Sequence, residues 1–170
     1  MGIINKITFL LKRPSIVLVL GKGCFSASRA VSCALGKRGQ VLSEIKIPWA
    51  RSRKEIIIFA KSEIEKWEEP VVNFLLKNSR KPILVLTHDG VIPFEKDSFA
   101  GEARGSFKRI ASSVRERGKV ILNFDDEAVR SIKDYAETQT MSFGFQKRSD
   151  LRATDINVDL EGTNFKINYE

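Results

Sequence analysis

The sequence predicts an α/β domain: a mostly parallel sheet with helices on both faces, closed at its carboxyl end by a β-hairpin. Three observations carry that expectation. Short, largely apolar runs at residues 16–20, 55–59, 83–87 and 120–122 have the length and β-branched content of buried strands. Between them, apolar residues recur at helical spacing, as strand–helix–strand connections require. From residue 151 onward the pattern changes to alternation around a Glu161-Gly162 turn, which is the signature of an antiparallel hairpin over 151–170.

Length and composition frame the elements. A chain of 170 residues suits one domain, 1–170, with a sizeable core. An apolar fraction of 42% and a charged fraction of 29% are those of an ordinary globular protein. The net charge of +8 admits an acidic partner, but basic and acidic residues are interleaved along the chain. That scatter speaks for a solvated surface and against a nucleic-acid groove. Cys24 and Cys33 fit neither a zinc knuckle nor a redox pair, and read as free thiols in a reducing compartment. The single His88 rules out a multi-histidine metal site.

In chain order, residues 1–13 form an amphipathic helix, with Ile3, Ile4, Ile7, Leu10 and Leu11 on one face and Pro14 ending it. The following run, 16–20, is far shorter than the roughly 20 residues a membrane span needs. No cleavage-site pattern follows it, so the expectation is a cytoplasmic protein without a membrane partner. The 16–20 strand leads into a turn, 21–28, and then into a helix marked by Ala27, Ala30, Val31, Ala34 and Leu35 that stops near Gly36. A second strand is expected over 41–47, followed by a basic loop with Arg51, Arg53 and Lys54. The 55–59 strand, a helix over 70–78 with Pro70 at its start, and the 83–87 strand come next. A polar loop covers 94–105, and a helix with Phe107, Ile110, Ala111 and Val114 on one face runs to Arg117.

The polar residues of interest sit where these strands end, because ligands of open α/β sheets bind outside the carboxyl ends of the strands. Gly21, Lys22 and Ser26 lie in a strand–glycine turn–helix arrangement, the layout of a phosphate-binding loop and equally of a scaffold turn. His88 follows the 83–87 strand, as a metal ligand or as a plain turn residue. Asn123, Asp125 and Asp126 follow the 120–122 strand, immediately before a helical pattern carried by Ala128, Val129, Ile132, Tyr135 and Ala136. Capping alone accounts for such residues, with Asp126 and Glu127 in a first turn whose dipole favours negative charge.

The sequence Leu122-Asn-Phe-Asp-Asp126 resembles the Leu-Asn-x-Asp-Asp motif of the Mur ligase central, ATP-binding domain. Downstream, Thr140-Met-Ser-Phe-Gly-Phe145 is similar to the family's next strand, and Ser149 to Ile156 with Glu161 to Phe165 is similar to its hairpin. The resemblance implies a P-loop-type fold and ATP with Mg2+ as cofactors. It also implies the chemistry of amide-bond-forming ligases acting on UDP-N-acetylmuramoyl-peptide precursors of peptidoglycan, in which a carboxylate is activated by ATP and attacked by an amine. On that basis Asn123 and Asp126 would meet the adenine side of the nucleotide, and Gly21, Lys22 and Ser26 the phosphates. Ser26, His88 and Lys108, the last at the place of the family's carbamylated lysine, would lie near magnesium. The loop departs from the family pattern. Cys24 stands for the second glycine and Phe25 for the lysine that supplies the cation for the β- and γ-phosphates. At the end of the 55–59 strand, Ala60-Lys61 stands where the family carries a magnesium-binding glutamate, with Glu63 nearby but out of register.

Three readings follow. One is a Mur-ligase-like central domain that is degenerate or incomplete on its own and works with other Mur-ligase-type domains or chains. Another is a non-enzymatic interaction module that kept the fold and lost the nucleotide, using the free hairpin edge and the basic 51–54 loop as contact surfaces. The third, a nucleic-acid binder, rests on net charge alone.

Overall fold

A computed structural model describes residues 3–42, 55–89 and 99–169. The expected basic loop at 51–54, the outer part of the expected 41–47 strand and residues 94–98 of the expected 94–105 loop lie outside the described residues. The elements are α1 (Ile3–Lys12), β1 (Ser15–Leu20), α2 (Cys24–Leu35), β2 (Gly39–Leu42), β3 (Ile56–Lys61), α3 (Glu69–Asn78) and β4 (Pro82–Leu86). Then come α4 (Phe99–Ser112), β5 (Lys119–Asn123), α5 (Glu127–Arg130), β6 (Gln139–Gly144), β7 (Leu151–Val158) and β8 (Thr163–Tyr169). All eight strands form one sheet in the order β2-β3-β1-β4-β5-β6-β7-β8. The first six pair in parallel, β7 starts parallel to β6 at Phe143 and Gly144, and β8 returns antiparallel. The expected α/β architecture with a closing hairpin is the observed one.

Alternation along the strands divides the core between two faces. Ile16, Leu18, Leu20, Ile57, Phe59, Leu84, Leu86, Val120 and Leu122 pack on one side with Phe9 of α1, Leu75 and Leu76 of α3, Phe107 and Ile110 of α4 and Val129 of α5. Val17, Val19, Ile58 and Ala60 pack on the other with Cys24, Ala27, Val31 and Leu35 of α2. Strands sandwiched in this way must be apolar at consecutive positions, which is why they read as unbroken runs.

Five local expectations change. α4 ends at Ser112 rather than Arg117. There the hydroxyls of Ser112 and Ser113 return to the carbonyls of Arg109 and Ile110, and Val114 N–H turns back to Ala111 O, so side chains replace the helical ladder. α4 also starts at Phe99, inside the stretch expected as loop. The helical pattern after Asp126 is one α-turn followed by a 3-10 segment, Ser131–Tyr135. Asp126 is the N-cap itself, in extended conformation, rather than a first-turn residue. In β7 the apolar phase shifts from Leu151 and Ala153 to Ile156 and Val158. A bulge explains it: the register slips between Thr154 and Asn157, and Asp155 adopts a positive φ of 51°. No described helix is long and apolar enough to cross a membrane.

Candidate functional site

The carboxyl ends of β1, β4 and β5 meet at one edge, and the turn after β1 is held there by main chain. Gly21 N–H donates to Lys61 O of β3 (3.1 Å), and Lys22 N–H donates to His88 O beyond β4 (2.8 Å). The Thr87 hydroxyl sits 2.9 Å from Leu20 O and 2.7 Å from Lys22 O. Gly21 has φ 103°, and a Cβ there would come within 2.3 Å of the His88 carbonyl oxygen, so only glycine lets the two turns close on each other. Gly23, φ 81°, caps α2 without a side chain, and space around it is open. The positive end of α2, a twelve-residue helix, therefore faces outward at this edge. Ser26 and Lys22 are exposed there, and Phe25 is 60% exposed. Cys24 points the other way into the core, where burial raises its thiol pKa against opposing hydrogen bonds from the Phe25 and Cys24 amides.

The turn after β5 is built by side chains instead. Asp126 Oδ1 accepts from Val129 N–H (3.0 Å), capping α5, while its Oδ2 accepts from Asp89 N–H (3.0 Å) and lies 3.2 Å from His88 Nδ1. Asp89 Oδ1 is 3.7 Å from the same imidazole nitrogen. The Asp89 and Asp126 carboxyl groups are about 5% exposed, whereas the His88 ring is 49% exposed. These three residues are the group of possible metal ligands found among the described residues, with one donor atom from each lying within 4.8 Å of the others. Two carboxylates and an imidazole converging from two strand ends can hold a divalent cation through hard oxygen donors.

Asn123 lies at the end of β5, and its Oδ1 accepts from Asp125 N–H (3.0 Å). Asp125 in turn accepts from Phe145 N–H (2.9 and 3.0 Å) and Gln146 N–H (3.2 Å), fastening the end of β6 to the end of β5. Lys108, on α4, donates to Tyr135 Oη (3.2 Å) and stacks over that ring at 4.4 Å, away from the His88 group in its contacts. At the end of β3, Lys61 pairs with the buried Glu68 at 2.5 Å, and Glu63 is exposed. The structure thus brings Gly21, Lys22, His88 and Asp126 to one edge and engages Lys108 with Tyr135. It adds Asp89 and Thr87, which the sequence reading had not singled out. A His-Asp pair directly after a buried parallel strand was the available signal for Asp89. Thr87 had none, since its role is to bind main chain.

These observations define an open α/β domain whose polar side chains and outward-facing helix start collect at the carboxyl edge of the sheet. No protein-family model matches the chain. Curated relatives do. The chain is 35% identical over 77 residues to the UDP-N-acetylmuramate–L-alanine ligase of Sulfurihydrogenibium sp. (strain YO3AOP1), a stretch covering 45% of this chain and 16% of that protein. It is 37% identical over 49 residues to the UDP-N-acetylmuramoyl-L-alanyl-D-glutamate–2,6-diaminopimelate ligase of Syntrophomonas wolfei, 29% of this chain and 10% of that protein. Among solved structures, MurF from Acinetobacter baumannii superposes over 96% of this chain and 37% of its own, with a TM-score of 0.74 at 13% identity. The UDP-N-acetylmuramate:L-alanyl-γ-D-glutamyl-meso-diaminopimelate ligase from Neisseria meningitides covers 96% of this chain and 54% of its own at a TM-score of 0.60 and 12% identity. The chain is a Mur-ligase-like domain, and it matches well under two thirds of the length of each of these proteins.

Proposed function

We propose that this domain is the central, nucleotide-binding unit of an ATP-dependent amide-bond-forming ligase of the Mur type, acting in peptidoglycan precursor synthesis, with a phosphate loop too altered to sustain catalysis by itself. The observation that carries the reading is the meeting, at one sheet edge, of the Gly21 turn that opens α2 with the His88, Asp89 and Asp126 group. The first turn of α2 suits the phosphates of ATP through its dipole and amides. Asn123 spends its carbonyl oxygen on Asp125 and offers Nδ2 to a base.

The donor set fits magnesium in its two carboxylates, and Ser26 adds a hydroxyl at the helix start; Lys108 joins them only by leaving Tyr135. Magnesium, when bound, supplies charge neutralisation for the phosphate oxygens. What the chain's own residues do is hold and orient: Asp126 fixes the start of α5 and the Asp89 backbone together, and the Gly21 turn keeps α2 against the end of β4.

A second reading is favoured by two observations. Phe25 exposes an apolar ring in the first turn of α2, and Lys61 binds Glu68 at the end of β3 in place of an acid facing the site. In that reading the domain is an interaction module that retained the fold without its nucleotide.

Calorimetric titration of the full chain with Mg-ATP and Mg-ADP, alongside Lys22→Ala and Asp126→Asn, tests the two. Micromolar binding weakened by both substitutions supports the nucleotide reading. Absence of heat up to millimolar nucleotide in a folded protein overturns it and leaves the interaction module.

A further inference from the structure

The apolar stripe of α1 faces the wrong way for a core helix. The residue that anchors α1 is Phe9, fully buried and 5.8 Å from the Phe74 ring of α3. Ile3, Ile4, Ile7 and Leu11 lie on the opposite side of the helix and are 77%, 78%, 53% and 81% exposed. At 100° per residue these four fall within about a third of the helix circumference, so they form one continuous outward stripe. Lys6 flanks it on one side, reaching over the Phe74 ring, and Lys12 on the other.

The electrostatic setting is one-sided. No aspartate or glutamate precedes Glu44 in the sequence, so the interleaving of charges along the whole chain does not hold over its first 43 residues. α1 runs directly into Arg13, whose N–H returns to Phe9 O and whose side chain lines a groove of about 720 Å³ at the amino ends of β1, β4 and β5, opposite the candidate site. Lys77, Arg80, Arg115 and Arg117 also line it, against Glu116 and Glu137. None of these five cations forms an ion pair among the described residues.

We propose that α1 and the basic groove at its end dock this domain on the surface of an anionic lipid bilayer, with α1 lying in the headgroup plane, its aliphatic stripe turned toward the acyl chains and the groove taking lipid phosphates. A short helix with large aliphatic residues on one face and lysines at its flanks has the makeup of an interfacial helix. Juxtaposed lysines and arginines are what an anionic leaflet attracts. A second copy of the chain fits the stripe poorly. Ten residues of helix, about 15 Å long, present far less than the roughly 800 Å² per partner of a stable interface, and pairing two such helices would oppose cation to cation. Docking of this kind lays the helix on the membrane without crossing it, in keeping with the absence of a spanning helix among the described residues.

The test is flotation of the full chain with vesicles of phosphatidylcholine alone and of phosphatidylcholine mixed with phosphatidylglycerol. Retention on the mixed vesicles should exceed that on the neutral ones by roughly tenfold or more and fall as salt rises. The double variant Ile7→Glu/Leu11→Glu should lose retention, and Arg115→Glu/Arg117→Glu should lower it on the mixed vesicles about tenfold. All four side chains are exposed, so melting temperatures should hold. Equal retention on both vesicles, none on either, or retention that ignores the α1 variant overturns the proposal. So does a solution dimer that Ile7→Glu/Leu11→Glu disperses in a protein that ignores vesicles. None of these substitutions touches the nucleotide edge, so the docking and the nucleotide reading stand or fall separately.

Discussion

The turn after β1 and the turn after β5 lie at the same edge of the same sheet and connect a buried strand to a helix in the same way, yet they are built from different atoms. The first is held mainly by backbone: Gly21 and Lys22 N–H groups donate to the carbonyls of Lys61 and His88, the Thr87 hydroxyl lies against Leu20 O and Lys22 O, and a side-chainless glycine caps the helix. The second is held by carboxylates: Asp126 ties α5 to the end of β4, and Asp125 ties β5 to β6. The difference teaches where side chains are free to change. In the backbone-built turn, the side chains at positions 25 and 26 are exposed and take no part in closure, so they can change without disturbing the fold. In the side-chain-built turn, Asp126 satisfies a buried and a half-buried amide, and its loss leaves them without a partner.

The largest effect expected from breaking this arrangement is that of Gly21→Ala. A methyl group at φ 103° and 2.3 Å from a backbone oxygen forces the β1 and β4 ends apart, and thermal unfolding should show a loss of about 3 kcal/mol or more. Asp126→Ala comes next. It removes the α5 cap and the acceptor for Asp89 N–H, and chemical denaturation should register about 2 kcal/mol.

Asp150 extends the comparison to the neighbouring strand, because it also holds a turn with its carboxylate. It accepts from the Ser142 hydroxyl (2.7 Å) and the Ser142 N–H (2.6 Å), and these bonds, led by the hydroxyl, lower its pKa despite partial desolvation. A depressed folded-state pKa means a stabilisation that is present above the unfolded value, about 3.9, and disappears as pH falls through the folded value. Asp150→Asn should therefore flatten the acid limb of stability against pH, and should destabilise at neutral pH by about 1 kcal/mol. The smallest effect on the fold belongs to Phe25→Lys, within about 0.5 kcal/mol of the parent. If the start of α2 receives phosphate, the same change should tighten Mg-ATP binding about tenfold by calorimetry. Unchanged affinity would separate the helix start from any nucleotide.

The two turns also explain what could be read beforehand. Strands buried on both faces announce themselves as apolar runs, so β1, β3, β4 and β5 were legible to within two residues. The capped start of α5 was legible as a local pattern but one residue off, since Asp126 read as a first-turn residue and is the N-cap itself, and the Leu122 to Asp126 motif pointed to the fold that the structure carries. The end of α4 was not legible. Val114 keeps its helical spacing and its burial, and only the serine hydroxyls bonding back to Arg109 and Ile110 show that the helix has stopped. Nor was the partnership of His88 and Asp89 with Asp126 legible, since 37 residues separate Asp89 from Asp126 and only the parallel pairing of β4 with β5 brings their turns together.

The slipped register at Asp155 divides the closing hairpin into two parts with different lifetimes. Up to Thr154, β7 begins against β6 at Leu151 and Arg152 and is backed by β8 at its far end. Past the bulge, Asn157 and Val158 pair with Asn164 and Thr163 only, as a ribbon of two strands. Such a ribbon is marginal in water. Its amides should therefore trade hydrogen for deuterium through frequent local fraying, long before those of Leu151 and Arg152, whose exchange waits for the sheet itself to open.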